Sequence, residues 1–162
     1  MMARPIHHHA YIEAPFAAVC DELERNGVRV VETATHAASG FAADLAGYLE
    51  DKLGFFDRDE RVIVGVGAIE RSDGGAVLPI EWHADDTRRF LPNVEAAIHV
   101  TPLISSGPGA TSEITLRGTY SPLRIKHRGI VEHALVRRVV DATLHVFLRH
   151  LADELQAHTA VR

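Results

Sequence analysis

GIVEHALVRRVVDATLHVFLRHLADELQAH, residues 129–158, is the stretch on which the fold turns. It holds no proline, and no glycine after Gly129, so nothing in its interior interrupts an α-helix. At about 1.5 Å per residue such a helix reaches roughly 45 Å. Its first half spreads Val131, Leu135, Val136, Val139, Ala142 and Val146 over an arc too wide for a helix that merely rests on a surface. A long apolar partner must cover that arc.

The partner lies upstream, in segments that alternate with period two. Leu78, Ile80, Trp82 and Ala84 oppose Glu81 and His83; Val94, Ala96, Ile98 and Val100 oppose Glu95, His99 and Thr101. Ile114, Leu116, Gly118 and Tyr120 oppose Glu113, Thr115, Arg117 and Thr119. Val62, Val64 and Val66 begin a further strand, turned back through the Ser72, Asp73, Gly74 and Gly75 cluster, while Gly107, Pro108 and Gly109 mark a later loop. These segments predict an antiparallel meander with one oily face for the long helix and one wet face.

Toward the start of the chain, Ile6, His8, Ala10 and Ile12 alternate with His7, His9 and Tyr11, so the three histidines belong to a strand, with His8 directed inward. Pro15 suits a first helical position, and Phe16, Val19, Cys20 and Leu23 form a stripe that Gly27 would end. Ser39 is placed to cap a second short helix carrying Phe41, Leu45, Leu49 and Leu53, with Gly54 after it.

Composition sets the frame. With 162 residues, 46% apolar and 24% charged, the chain suits one domain, residues 1–162, able to bury a core without disulfides. Cys20 alone cannot make an internal disulfide, which fits a reducing compartment. No signal-peptide pattern or membrane span is present, and the expectation is a cytoplasmic protein. A net charge of −5 argues against a nucleic-acid binder. The charge is uneven, however. Eleven acids between residues 13 and 60 face Arg25, Arg29, Lys52 and Arg58, whereas across residues 117–138 six basic side chains face only Glu132. That basic region would suit an anionic ligand, an acidic partner or a second subunit in a homodimer.

Catalytic motifs are few. Gly65 and Gly67 lie within a strand pattern with Glu70 where a third glycine would stand, so they are no dinucleotide loop. Alternation puts His83, His99, Glu81, Glu95 and Glu113 together on the wet face, as cross-strand ion pairs. His133, Arg137, Asp141, His145 and Arg149 recur every four residues as a solvated ladder. Asp141 and His145 are too few to hold a metal, and no metal or cofactor is expected.

Strand, two short helices, antiparallel meander and long terminal helix is the order that resembles the START and Bet v 1-like superfamily (SRPBCC, polyketide cyclase/dehydrase-like), nearly end to end. Residues 90–103 (FLPNVEAAIHVTPL), 112–123 (SEITLRGTYSPL) and 136–155 (VRRVVDATLHVFLRHLADEL) are similar in texture to small, uncharacterised actinobacterial members, with Pro122 standing for the proline pair usual after Tyr120. The resemblance implies an α+β helix-grip fold, a curved antiparallel sheet around the terminal helix. It also implies a cavity between the two that takes a hydrophobic small molecule such as a lipid or polyketide-like compound. Trp82, Ile98, Leu116 and Tyr120 would line it from the sheet and Leu135, Val139 and Ala142 from the helix, with Phe90 closing one end. Aromatic and aliphatic walls supply affinity, and the polar tips of Trp82 and Tyr120 fix orientation. The same face can equally be a filled core. The leading expectation is a noncatalytic binder of a hydrophobic small molecule, with an anionic group on it left open. The alternatives are a metal-free cyclase or aromatase using His8 and Tyr120, and an interaction module built on residues 117–138.

Overall fold

The computed structural model describes residues 2–53, 62–84, 92–121 and 130–160. β1 (Arg4–Ile12) is followed by α1 (Phe16–Leu53), then by β2 (Val62–Val66), β3 (Glu70–Ser72), β4 (Gly75–Ala84), β5 (Val94–Ile104) and β6 (Thr111–Tyr120), and last by α2 (Ile130–Ala160). All strand pairs are antiparallel, in the order β1-β6-β5-β4-β2, with β3 also on β4. This is the expected α+β helix-grip arrangement, a single antiparallel sheet against a long terminal helix.

The register shows why the alternation was a sound guide. Trp82 pairs with Val94 and Val94 with Tyr120; Leu78 pairs with Ile98, Ile98 with Leu116, and Leu116 with His8. Every aliphatic or aromatic member of these rows is buried, and they join one cluster with α1 and α2. Each large side chain removed from water here contributes about 1.5–3 kcal/mol, which holds the register against a one-residue slip. Gly118 is required where it stands: a Cβ there would collide with the Glu95 carbonyl oxygen and with Ala96.

One expectation is corrected. The two short helices predicted after β1 are a single helix, α1, which runs through both Gly27 and Gly40. Its buried positions explain this: Val30, Val31, Ala34, Ala38 and Ala42 continue the stripe begun by Val19 and Leu23. Glycine costs about 1 kcal/mol in a helix interior, less than the burial of that stripe returns. Leu78 reaches α1 beside Gly27, where its Cδ2 lies 3.9 Å from the place a Cβ would take. Ser39 is therefore an interior residue and caps nothing.

The inner face is covered by both helices. The first turns of α1 meet the last of α2, where the buried Glu22 carboxylate accepts hydrogen bonds from Asn26 Nδ2 at 2.8 Å and from His158 Nδ1 at 3.0 Å. At its start α1 is also tied to the sheet. Ser112 Oγ donates to the Ala14 carbonyl at 2.9 Å, and Arg71 of β3 pairs with Asp21 at 3.0 Å and Glu24 at 3.4 Å. No described helix is long and apolar enough to cross a membrane.

Candidate functional site

Between sheet and helices, the residues expected to line a ligand space fall into two sets. Trp82, Ile98, Leu116, Tyr120 and Val139 are buried on the inner side, and Leu135 and Ala142 are half-buried on α2. Phe90 lies outside the described residues. Trp82 and Tyr120 occupy one cross-sheet row with Val94 between them, and Ile98 and Leu116 occupy another with His8 at its end.

Sequence reasoning missed Phe147. Its ring meets Trp82 edge-on with centroids 5.1 Å apart, so part of the space near Trp82 is occupied by α2 itself. The signal was present: Val140, Leu144, Phe147, Leu148, Leu151 and Leu155 recur at three- and four-residue spacing along the second half of the helix and are all buried.

A different condition holds in the row between. Ile6 pairs with Gly118, Gly118 with Ala96, and Ala96 with Ile80. Here Ala96 and Gly118 retain solvent exposure although they point toward the helices, and so do His8 and Ala10 on β1. Ala96 and Gly118 are the small residues of this row, set between the Trp82–Tyr120 row on one side and Leu116 and His8 on the other; the Glu95 carbonyl and Ala96 fill the place a Gly118 side chain would take, and Ala96 itself stays partly open.

His8 is the half-buried histidine that alternation sent inward, and α2 supplies its neighbours. Its Nε2 lies 3.7 Å from Asp141 Oδ1, and its ring centroid lies 6.1 Å from that of His145. Burial lowers the His8 pKa; Asp141 acts in the opposite sense, and His145 and His7 add to the lowering. Asp141 and His145 are exposed, as a solvated ladder requires, yet they also face β1. Four-residue spacing shows that two residues share a helix side, but not which strand that side meets. Burial likewise raises the Tyr120 hydroxyl, with Arg4, Asp141 and Arg137 in its field. The arrangement thus has an imidazole 3.7 Å from a carboxylate on one side of the Ala96–Gly118 row and a protonated phenol on the other.

Among the described residues, two buried polar side-chain atoms have no hydrogen-bond partner: Trp82 Nε1 and Thr35 Oγ1. On the outer face His83 Nε2 lies 3.2 Å from Glu81 Oε2, both exposed as expected for a wet face, although the pair runs along β4 rather than across strands as expected. His99, lowered by burial and then by Arg117, stands on that face too. Among the described residues no three His, Cys, Asp or Glu side chains gather to hold a metal ion. Cys20 is buried, and that burial pushes its thiol up to about 11.

No family model matches the chain, and no curated protein does. Solved structures do. The aromatase/cyclase Zhui from Streptomyces sp. R1128 is similar over 99% of this chain and 97% of its own, with 13% identity and a TM-score of 0.43. The protein TTHA0849 from Thermus thermophilus is 20% identical over 96% and 99% of the two chains, with a TM-score of 0.38. Norcoclaurine synthase from Thalictrum flavum, in complex with dopamine and hydroxybenzaldehyde, is 11% identical over 97% and 88%, with a TM-score of 0.39.

Proposed function

We propose that this protein binds a hydrophobic small molecule at the Ala96–Gly118 row, between the sheet and the helices. The observation that carries the reading is the exposure of inner-facing Ala96, Gly118 and His8 beside the buried walls formed by Trp82, Tyr120 and Leu116. A packed core shelters its inward positions from solvent completely; a binding site leaves some of them, here Ala96 and His8, partly open and surrounds them with apolar surface. The ligand rests on the two small residues, contacts Leu135 and Ala142 of α2, and meets polar groups at its ends. Native mass spectrometry of the protein purified from its own host tests this. A retained small-molecule mass, released on denaturation, is the expected result; a bare chain that also takes up no apolar compound offered to it would reject the reading.

A second reading is favoured by the His8–Asp141 contact. An imidazole beside a carboxylate, with a phenol further along the same sheet, could exchange a proton with a bound substrate. His8 lies opposite Leu116, and Tyr120 is four residues further along β6, about 13 Å in an extended strand. A cyclase-type substrate touching both would need to span several fused rings. Unchanged turnover in a His8→Ala, Tyr120→Phe double variant would reject the enzymatic reading while leaving binding intact.

A further inference from the structure

Four threonines lie in the described helices, and three of them return their hydroxyls to their own backbone. Thr33 donates to the Arg29 carbonyl at 2.9 Å, Thr143 to Val139 at 2.8 Å and Thr159 to Leu155 at 2.8 Å. Thr35 does not. Its Oγ1 is buried and has no partner among the described residues, although the same i−4 bond is the default for a helical threonine. Thr35 Oγ1 thus makes no bond to the Val31 carbonyl, the i−4 acceptor.

The other buried atom without a partner stands at the same level of the molecule. Asp21 and Glu24 of α1 reach Arg71, whose register partner is Ala76 at the start of β4, and Gly27 follows against Leu78. Helix and strand thus advance in the same direction. From Gly27 to Thr35 the helix rises about 12 Å, and from Leu78 to Trp82 the strand rises about 13 Å. Around the helix, Thr35 falls about 80° from Gly27, toward the side on which Asp21 and Glu24 meet Arg71. Glu22, which meets His158 of α2, faces the other way. Thr35 and Trp82 therefore face one region between α1 and the β2–β4 edge.

We propose that Thr35 Oγ1 and Trp82 Nε1 form a buried polar subsite that takes the hydrogen-bond acceptor of a neutral ligand, a carbonyl-type oxygen on an otherwise apolar molecule. This rests on the binding reading above and adds the polarity of the ligand's inner end. An indole N–H can only donate, and the threonine hydroxyl is free to do so, so a carbonyl oxygen with two lone pairs satisfies both. A carboxylate is disfavoured, because burying its charge against two neutral donors costs more than their hydrogen bonds return. The acidic and basic groups around His8 lie on the opposite side of the Ala96–Gly118 row and remain available to a second polar group.

The chain has one tryptophan, so its indole N–H gives a single resonance in a proton–nitrogen correlation spectrum. We compare 2-acetylnaphthalene with 2-ethylnaphthalene, which differ by the carbonyl. The subsite predicts that the ketone binds about tenfold tighter and moves the indole proton downfield, while the hydrocarbon does not. Thr35→Val should remove most of that preference while leaving hydrocarbon affinity within about twofold. Equal affinities with no selective indole shift would overturn the subsite and leave apolar binding standing. Failure of both compounds to bind would overturn the binding reading itself, and the subsite with it. Should Thr35→Val not fold, the wild-type comparison of the two compounds decides alone.

Discussion

His8 Nε2 and Asp141 Oδ1 lie 3.7 Å apart, joining the middle of β1 to α2 beside the Ala96–Gly118 row. The contact is asymmetric: the histidine is mostly sheltered, and the aspartate is exposed. Burial nevertheless prevails, and the pKa of His8 is lowered. Removing the aspartate charge should lower it further. In Asp141→Asn, the His8 ring resonances, followed by NMR, should titrate at lower pH than in wild type; an upward movement would contradict the electrostatic assignment.

The same shift fixes a direction for stability. A histidine with a folded pKa below its unfolded value takes up its proton more readily in the unfolded chain. Its contribution is complete above the unfolded value and is lost as pH falls from there through the folded one. His8 and His99 both act in this sense. Thermal unfolding should therefore show a smaller loss of Tm between about pH 7.5 and 5.5 in His8→Gln than in wild type, and a larger loss would be inconsistent with the burial of His8.

The two glycines inside α1 give a sharp test of its continuity. Gly40 is exposed, and a Cβ there meets nothing within 4 Å; at Gly27 it would meet only Leu78 at ordinary contact distance. In a helix interior, Ala replaces Gly with a gain of about 0.5–1 kcal/mol. Gly27→Ala and Gly40→Ala should each raise the denaturant midpoint. Were Gly27 a left-handed cap ending a short helix, Gly27→Ala would lower it.

Gly118→Ala should do the reverse. The added methyl would run into the Glu95 carbonyl and Ala96, which are backbone neighbours and cannot swing aside. A loss of about 3 kcal/mol or more is expected from urea unfolding, through forced separation of β5 and β6. A near-neutral effect would show that the two strands are further apart than described.

At the far end of α2, His158→Ala leaves the buried Glu22 carboxylate with one donor fewer. Loss of a hydrogen bond to a buried charge costs about 1–3 kcal/mol. Urea unfolding of His158→Ala should show it, whereas Arg149→Ala, on an exposed position of the same helix, should change little.

The sheet was legible because period-two alternation depends only on neighbours in the chain. It told which of Trp82 and His83 turns inward, and it placed His8 on the inner face before any partner was known. The extent of α1 was not legible, because Gly27 and Ser39 carry local signals for ends that burial of Val30, Val31, Ala34 and Ala38 overrides. Asp141 and His145 were read as solvent-facing, and they are exposed. Their approach to His8 depends on how α2 is seated against β1, which helical spacing does not encode. The unpartnered hydroxyl of Thr35 leaves no trace in sequence, since Thr33, two residues earlier in the same helix, does bond its own backbone.

The central claim is that the space beside Ala96 and Gly118 takes an apolar molecule. N-phenyl-1-naphthylamine, neutral and fluorescent only when sheltered from water, tests it most directly in a titration of wild type beside Ala96→Leu. We predict saturable one-to-one binding to the wild-type protein and at least a tenfold loss of affinity when the leucine fills that space. Absence of saturable binding to wild type, or equal affinity in the two proteins, would contradict the account.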